Sequence, residues 1–131
     1  MSKKVAIIAA NGSMFDAYKV LNLATAAAST DADVRVFFTF EGLQLIHKEG
    51  HKNLPLPEGK EHMKAGFEQA NVPSIEELVQ VAQDLGVTFI ACQMTMDVMN
   101  LNKEDFVDSI EVGGAATFLE FAYGADTTLT F

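Results

Sequence analysis

Val5-Ala6-Ile7-Ile8-Ala9-Ala10, followed by Asn11-Gly12-Ser13, is the stretch that decides the fold. An unbroken apolar run has no polar alternation, so a strand made from it must be buried on both faces, as strands of a parallel sheet between helices are. The Asn-Gly-Ser turn leads into a helical segment from Phe15 to about Ser29. There Ala17, Val20, Leu21, Ala24 and Ala28 fall on one stripe, and the alanines permit close packing on a sheet. Strand, turn and helix in this order begin a β-α-β unit.

The rest of the chain repeats the theme. Val34 to Phe40 is rich in β-branched and aromatic residues and reads as a second strand. Glu41 to His47 reads as a short helix carrying Leu43, Leu45 and Ile46. Lys48 to Gly59 holds Gly50, Pro55, Pro57 and Gly59, too many breakers for regular structure, and reads as a long loop. A helical piece is expected over Glu61 to Gln69. Ser74-Ile75-Glu76-Glu77 is a capping box, the apolar stripe continues through Leu78, Val81, Ala82 and Leu85, and Gly86 ends the helix. Val87 to Ala91 is the third strand, with a short helix expected over Met96 to Asn100. Ser109 to Val112 is a fourth strand, Ala115 to Tyr123 a helix with Phe118, Leu119 and Ala122 turned inward, and Thr127 to Phe131 a terminal strand. The expected fold class is α/β, with a mostly parallel five-stranded sheet covered by helices on both faces and residues 1–131 forming a single domain.

A formal charge of −9 excludes the usual electrostatic footprint of nucleic-acid binding. The acidity is uneven. Residues 1–64 carry eight basic and seven acidic side chains, whereas residues 65–131 carry Lys103 against eleven acids. Such a half suits either a basic partner or a solvated, solubilising surface. The basic start Met1-Ser2-Lys3-Lys4 is followed by an apolar stretch too short for an export signal or a membrane span. A single cysteine without an export signal points to a reducing cytoplasm.

That cysteine, Cys92, closes the third apolar run and opens Cys92-Gln93-Met94-Thr95-Met96-Asp97-Val98-Met99. It has no partner for an internal disulfide, so it is either a small core residue or a reactive thiol. Ligands of open α/β sheets gather at the carboxyl ends of the strands. Two candidate loops open there, Asn11-Gly12-Ser13 and the segment after Cys92, and the two could share one pocket lined by Asn11, Gly12, Ser13, Gln93, Met94, Thr95 and Met96. A helix starting after Cys92 would aim backbone amides at the sulfur and favour its thiolate. Asp97 opposes this if it faces the thiol.

The methionine-rich Cys92 motif resembles that of the DsrE/DsrF-like family, most closely the methionine-rich branch often labelled peroxiredoxin-like. The strand Lys4-Val5-Ala6-Ile7-Ile8-Ala9, the Asn11-Gly12-Ser13 loop and Gly113-Gly114 before a helix agree in order and spacing across nearly the whole chain. The resemblance implies a three-layer α/β/α sandwich, assembly into a homo-oligomer (trimer or hexamer), and a sulfur carrier or sulfurtransferase relay holding sulfane sulfur as a persulfide on Cys92 without a cofactor. It implies rhodanese-type sulfurtransferases or TusA-like sulfur carriers as partners. Members of this branch often end the motif with glycine; here Met99 is followed by Asn100.

Rival readings start from the same residues. Cys92, Met94 and Met96 are soft ligands that select Cu(I), provided the chain is extended there, with His47, His51 or His62 as a fourth ligand. A non-catalytic oligomeric binding domain is another, Phe118, Phe121 and Tyr123 offering contact surface. A peroxidase would need a resolving thiol from outside the chain. Asn11-Gly12-Ser13 lacks the pattern of a dinucleotide or phosphate loop, and a turn in which Ser13 or Asp16 starts the helix is the simpler reading. The histidines are expected on exposed loops and helix ends.

Overall fold

Residues 2–131 are described by the computed structural model, and five strands form among them: β1 (Lys4–Ala9), β2 (Asp33–Phe38), β3 (Thr88–Cys92), β4 (Glu111–Gly113) and β5 (Thr127–Thr130). They make one sheet in the order β4-β3-β2-β1-β5, and every neighbouring pair is parallel. The helices are α1 (Met14–Ser29), α2 (Lys64–Gln69), α3 (Ile75–Asp84), α4 (Gln93–Met99) and α5 (Ala115–Ala122). None of them is long and apolar enough to cross a membrane.

Alternate side chains of the central strands go to opposite faces, and each face has its own core. Ile7, Ala9, Val34, Val36, Phe38, Phe89 and Ala91 pack with Ala17, Val20, Leu21 and Ala24 of α1 and Leu78, Val79 and Ala82 of α3. Ala6, Phe37, Ile90 and Cys92 face the other way, against Phe118 and Phe121 of α5. The second core is thinner because α5 is half the length of α1. Leu119, expected inward, is exposed, and Phe121 takes its place, since Phe118 and Phe121 lie three apart on the side that meets the sheet.

Local signals account for the helix ends. Ser13 accepts the Asp16 N–H at 3.2 Å through its hydroxyl, and the Asp16 carboxylate accepts the Ser13 N–H at 3.1 Å, a complete capping box. Ser13→Ala should therefore cost about 1 kcal/mol in urea denaturation. At α3 the box is half made. Ser74 accepts the Glu77 N–H at 3.1 Å, but the Glu77 carboxylate takes the Ser74 hydroxyl rather than its N–H.

The segment after β2 is a 3-10 helix over Phe40–Ile46 instead of an α-helix, and it packs closely on the sheet. A Cβ at Gly42 would collide with the Ala9 carbonyl oxygen, so the turn lies directly on the end of β1. The expected long loop contains a further 3-10 turn, Gly50–Lys52, and here the histidine expectation fails. His51 is only 7% exposed, and its Nδ1–H donates to the His47 carbonyl at 2.7 Å. His47 Nδ1 accepts the N–H groups of Glu49 and Gly50, and its ring meets Phe106 edge-on at 6.0 Å. These rings are used to pin an irregular segment whose backbone has few regular partners. His62 is exposed, as expected.

Candidate functional site

Cys92 is both the last residue of β3 and the N-cap of α4. The helix thus begins directly after the cysteine, three residues earlier than the methionine spacing suggests. The position puts the sulfur at the carboxyl edge of the sheet, where the amides of the first helical turn have no intrahelical acceptor. Pleating sends the side chain to the α5 face, among Ile90, Phe37 and Phe118, and leaves the residue 5% exposed.

Burial in this apolar setting pushes the thiol pKa up. The opposing donors are the hydroxyls of Thr95 and Thr39 and the backbone N–H groups of Thr95 and Met94, and together they outweigh burial, so the thiol titrates below its ordinary value. Thr95, 2% exposed, is itself held in place. Its Oγ1 accepts the Phe40 N–H at 3.2 Å and lies 3.3 Å from Thr39 Oγ1. The Phe40 N–H occupies one lone pair of Thr95 Oγ1 and leaves the hydroxyl proton free to be donated.

Thr39 and Phe40 were not legible as site residues. The β2–β3 register ends with Phe38 beside Ala91, so the next step brings Thr39 alongside Cys92. Only the strand order reveals that neighbour. Phe40 has φ +50°, a left-handed conformation that a bulky side chain rarely adopts. The strain, on the order of 1–3 kcal/mol, is offset by the turn that holds Thr39 and the Phe40 N–H against Thr95.

Of the residues read as a pocket, Thr95 and Met94 are the two whose hydrogen-bonding groups lower the thiol pKa. Gln93 is exposed and donates to the Asp97 carboxylate at 2.8 Å, which engages the one acid of the motif. Met96 is buried in the core beneath α1 and α3, across the sheet from the Cys92 cluster, while the Met94 side chain is exposed. Helical geometry therefore disperses Cys92, Met94 and Met96, and the convergence required of a Cu(I) site is not present. His47 and His51 are engaged elsewhere.

Asn11, Gly12 and Ser13 follow β1, and β2 stands between β1 and β3. The loop is thus two strands, about 10 Å, from the thiol. Asn11 is exposed, a Cβ at Gly12 would lie 2.6 Å from the Glu41 carbonyl oxygen, and Ser13 is occupied by its cap. Gly12 instead borders a separate groove of about 480 Å³ with Gln44, Gly50 and Leu54. At the far end of α4, Asn100 sits at φ 55°, ψ 48°. Asparagine tolerates this left-handed cap, and so it closes the helix as a glycine would.

A model of the DsrE/DsrF/DrsH-like family matches residues 1–58 and 56–130. The chain is 38% identical over 154 residues to the sulfur carrier protein DsrE2 of Allochromatium vinosum, with 97% of both chains covered. It is 27% identical over 146 residues to the protein YrkE of Bacillus subtilis, with 90% of each covered. Among solved structures, the ychN protein from E. coli superposes with a TM-score of 0.70 at 20% identity over the whole of both chains. The Methanobacterium thermoautotrophicum protein MTH1491 does so with 0.58 at 14% identity, over 98% of this chain and 99% of that one. The two structures speak for the α/β fold, the family model and the 38% relative for descent: this chain belongs to the DsrE/DsrF/DrsH-like family.

Proposed function

We propose that the protein is a sulfur carrier that holds sulfane sulfur as a persulfide on Cys92 and passes it to an acceptor thiol. The observation that carries this reading is the place of the one thiol, at the end of β3 and the N-cap of α4 beside the Thr39–Thr95 pair, where its pKa is lowered despite burial. The likeness to a relative named as a sulfur carrier supports it.

The Cys92 thiolate attacks the outer sulfur of a donor persulfide. A new S–S bond forms at Cys92 as the donor's S–S bond breaks, and the donor leaves as a thiolate. An acceptor thiolate then attacks the outer sulfur of the Cys92 persulfide and regenerates the Cys92 thiolate. Each step exchanges one S–S bond for another, so neither a general base nor a net oxidant is required. Thr39, Thr95 and the helix amides stabilise negative charge on the Cys92 sulfur when it attacks and again when it leaves. A rhodanese-type sulfurtransferase or TusA-like carrier is the expected exchange partner, and the carrier acts as a single-domain, homo-oligomeric cytoplasmic protein of three or six copies.

Intact mass after exposure of the reduced protein to polysulfide, then to dithiothreitol, tests the reading. Whole sulfur atoms should be gained, removed by the reductant, and absent from Cys92→Ser. A folded protein that gains no sulfur, with Cys92 also resistant to alkylation, would reduce the thiol to a core residue.

A further inference from the structure

The surface around Cys92 has two properties that sulfur exchange does not itself use. One is exposed apolar area. Met94 and Val98, four apart on α4, share a helical face, and Val98 is 78% exposed. Phe40, 57% exposed, is tied to the same helix through its N–H bond to Thr95. Large apolar groups gathered at the surface mark a place of contact.

The other property is charge of one sign. The segments that frame Cys92, residues 36–47, 88–102 and 109–123, carry Glu41, Asp97, Glu111 and Glu120 and neither lysine nor arginine. Of the nearby cations, Lys4 and Arg35 sit over the Phe121 ring toward the other end of the sheet, and Lys48 and Lys103, which adjoin these segments in sequence, lie together beside Glu104 and Asp108. Two copies of the Cys92 face set against each other would oppose like charges, which disfavours pairing of the face with itself. A permanent cover would also close Cys92 to donor and acceptor.

We infer that the Cys92 face transiently docks a positively charged protein segment that presents its own thiol at an apolar tip. Phe40, Met94 and Val98 receive the tip, while Glu41, Asp97 and Glu111 steer the charge around it. The inference rests on the sulfur-carrier reading, because only a carrier must admit thiol-bearing partners here in turn. Steering of this kind acts over about 10 Å at 0.1 M salt and fades as salt rises.

The test uses two fluorescein-labelled peptides with a central Leu-Ser-Leu, one flanked by lysines and its twin by glutamates; serine replaces the thiol so that binding is read without chemistry. By anisotropy at about 20 mM salt the lysine peptide should bind at least about tenfold tighter than its twin, and the difference should collapse near 0.5 M. It should also collapse in the variant Glu41→Gln, Asp97→Asn, Glu111→Gln, and Met94→Ser with Val98→Ser should weaken binding of the lysine peptide. Equal binding of the twins, binding of neither, or an undiminished preference in the charge variant would overturn the inference. Sulfur loading read separately by intact mass distinguishes the two failures. Loading without peptide preference removes the docking surface alone, whereas preference without loading removes the carrier reading.

Discussion

Replacing Thr95 with valine is expected to slow iodoacetamide alkylation of Cys92 at pH 7 about tenfold, because a hydrogen bond to a charged group contributes about 1.5–3 kcal/mol. Burial raises the thiol pKa and the donors lower it, with the donors prevailing. Removing the Thr95 hydroxyl leaves burial less opposed, so the pH–rate curve moves to higher pH. Well above the ordinary thiol range both proteins are thiolates, and their rates should converge. That convergence separates an effect on ionisation from one on access, which would lower the high-pH plateau. Thr95→Ser keeps the hydroxyl and should restore most of the neutral rate. If the valine and wild-type curves coincide, the hydroxyl does not act on the sulfur. The same substitution strips the Phe40 N–H of its acceptor, so a loss of about 1–2 kcal/mol of stability should accompany the kinetic change.

A larger effect on stability, with a smaller one on the thiol, is expected at the opposite face of the same strand. Phe89 is buried beneath α1 and α3 and meets Phe38 edge-on at 5.3 Å. Phe89→Ala removes that contact and leaves a cavity that close-packed neighbours can only partly fill, at a cost of about 3–5 kcal/mol. Domains of this kind hold about 5–15 kcal/mol in total, so the urea midpoint should drop sharply and the Tm fall by about 10 °C or more. Because successive residues of a strand point to opposite faces, the pH–rate curve of Cys92 in the folded variant should stay in place. A large movement of that curve would mean that the two cores are coupled through β3 more tightly than their separate packing implies.

Much of the fold was legible because each clue was local. The unbroken apolar run of β1, the alanine-rich stripe of α1 and the Ser13 and Ser74 caps each report on neighbours only a few residues away, and each found its expected partner in full or in part. Readings failed where a distant backbone decided the outcome. The turn over Phe40–Ile46 lies against the end of β1 through Gly42 and Ala9, and His47, on which the His51 turn is anchored, packs on Phe106. Leu119 and Phe121 are both apolar, and only the position of α5 on the sheet decides which is covered.

The candidate site divides in the same way. By itself, the sequence determined that a lone thiol ends a buried strand and precedes a helix, because apolar runs and helical spacing are properties of short segments. Only the tertiary structure decided which groups surround that thiol. It laid β2 beside β3, bringing Thr39 from more than fifty residues away to the sulfur, and it placed β2 between Cys92 and the Asn11-Gly12-Ser13 loop. Strand order arises from how whole layers share one core, and no local stretch of sequence encodes it.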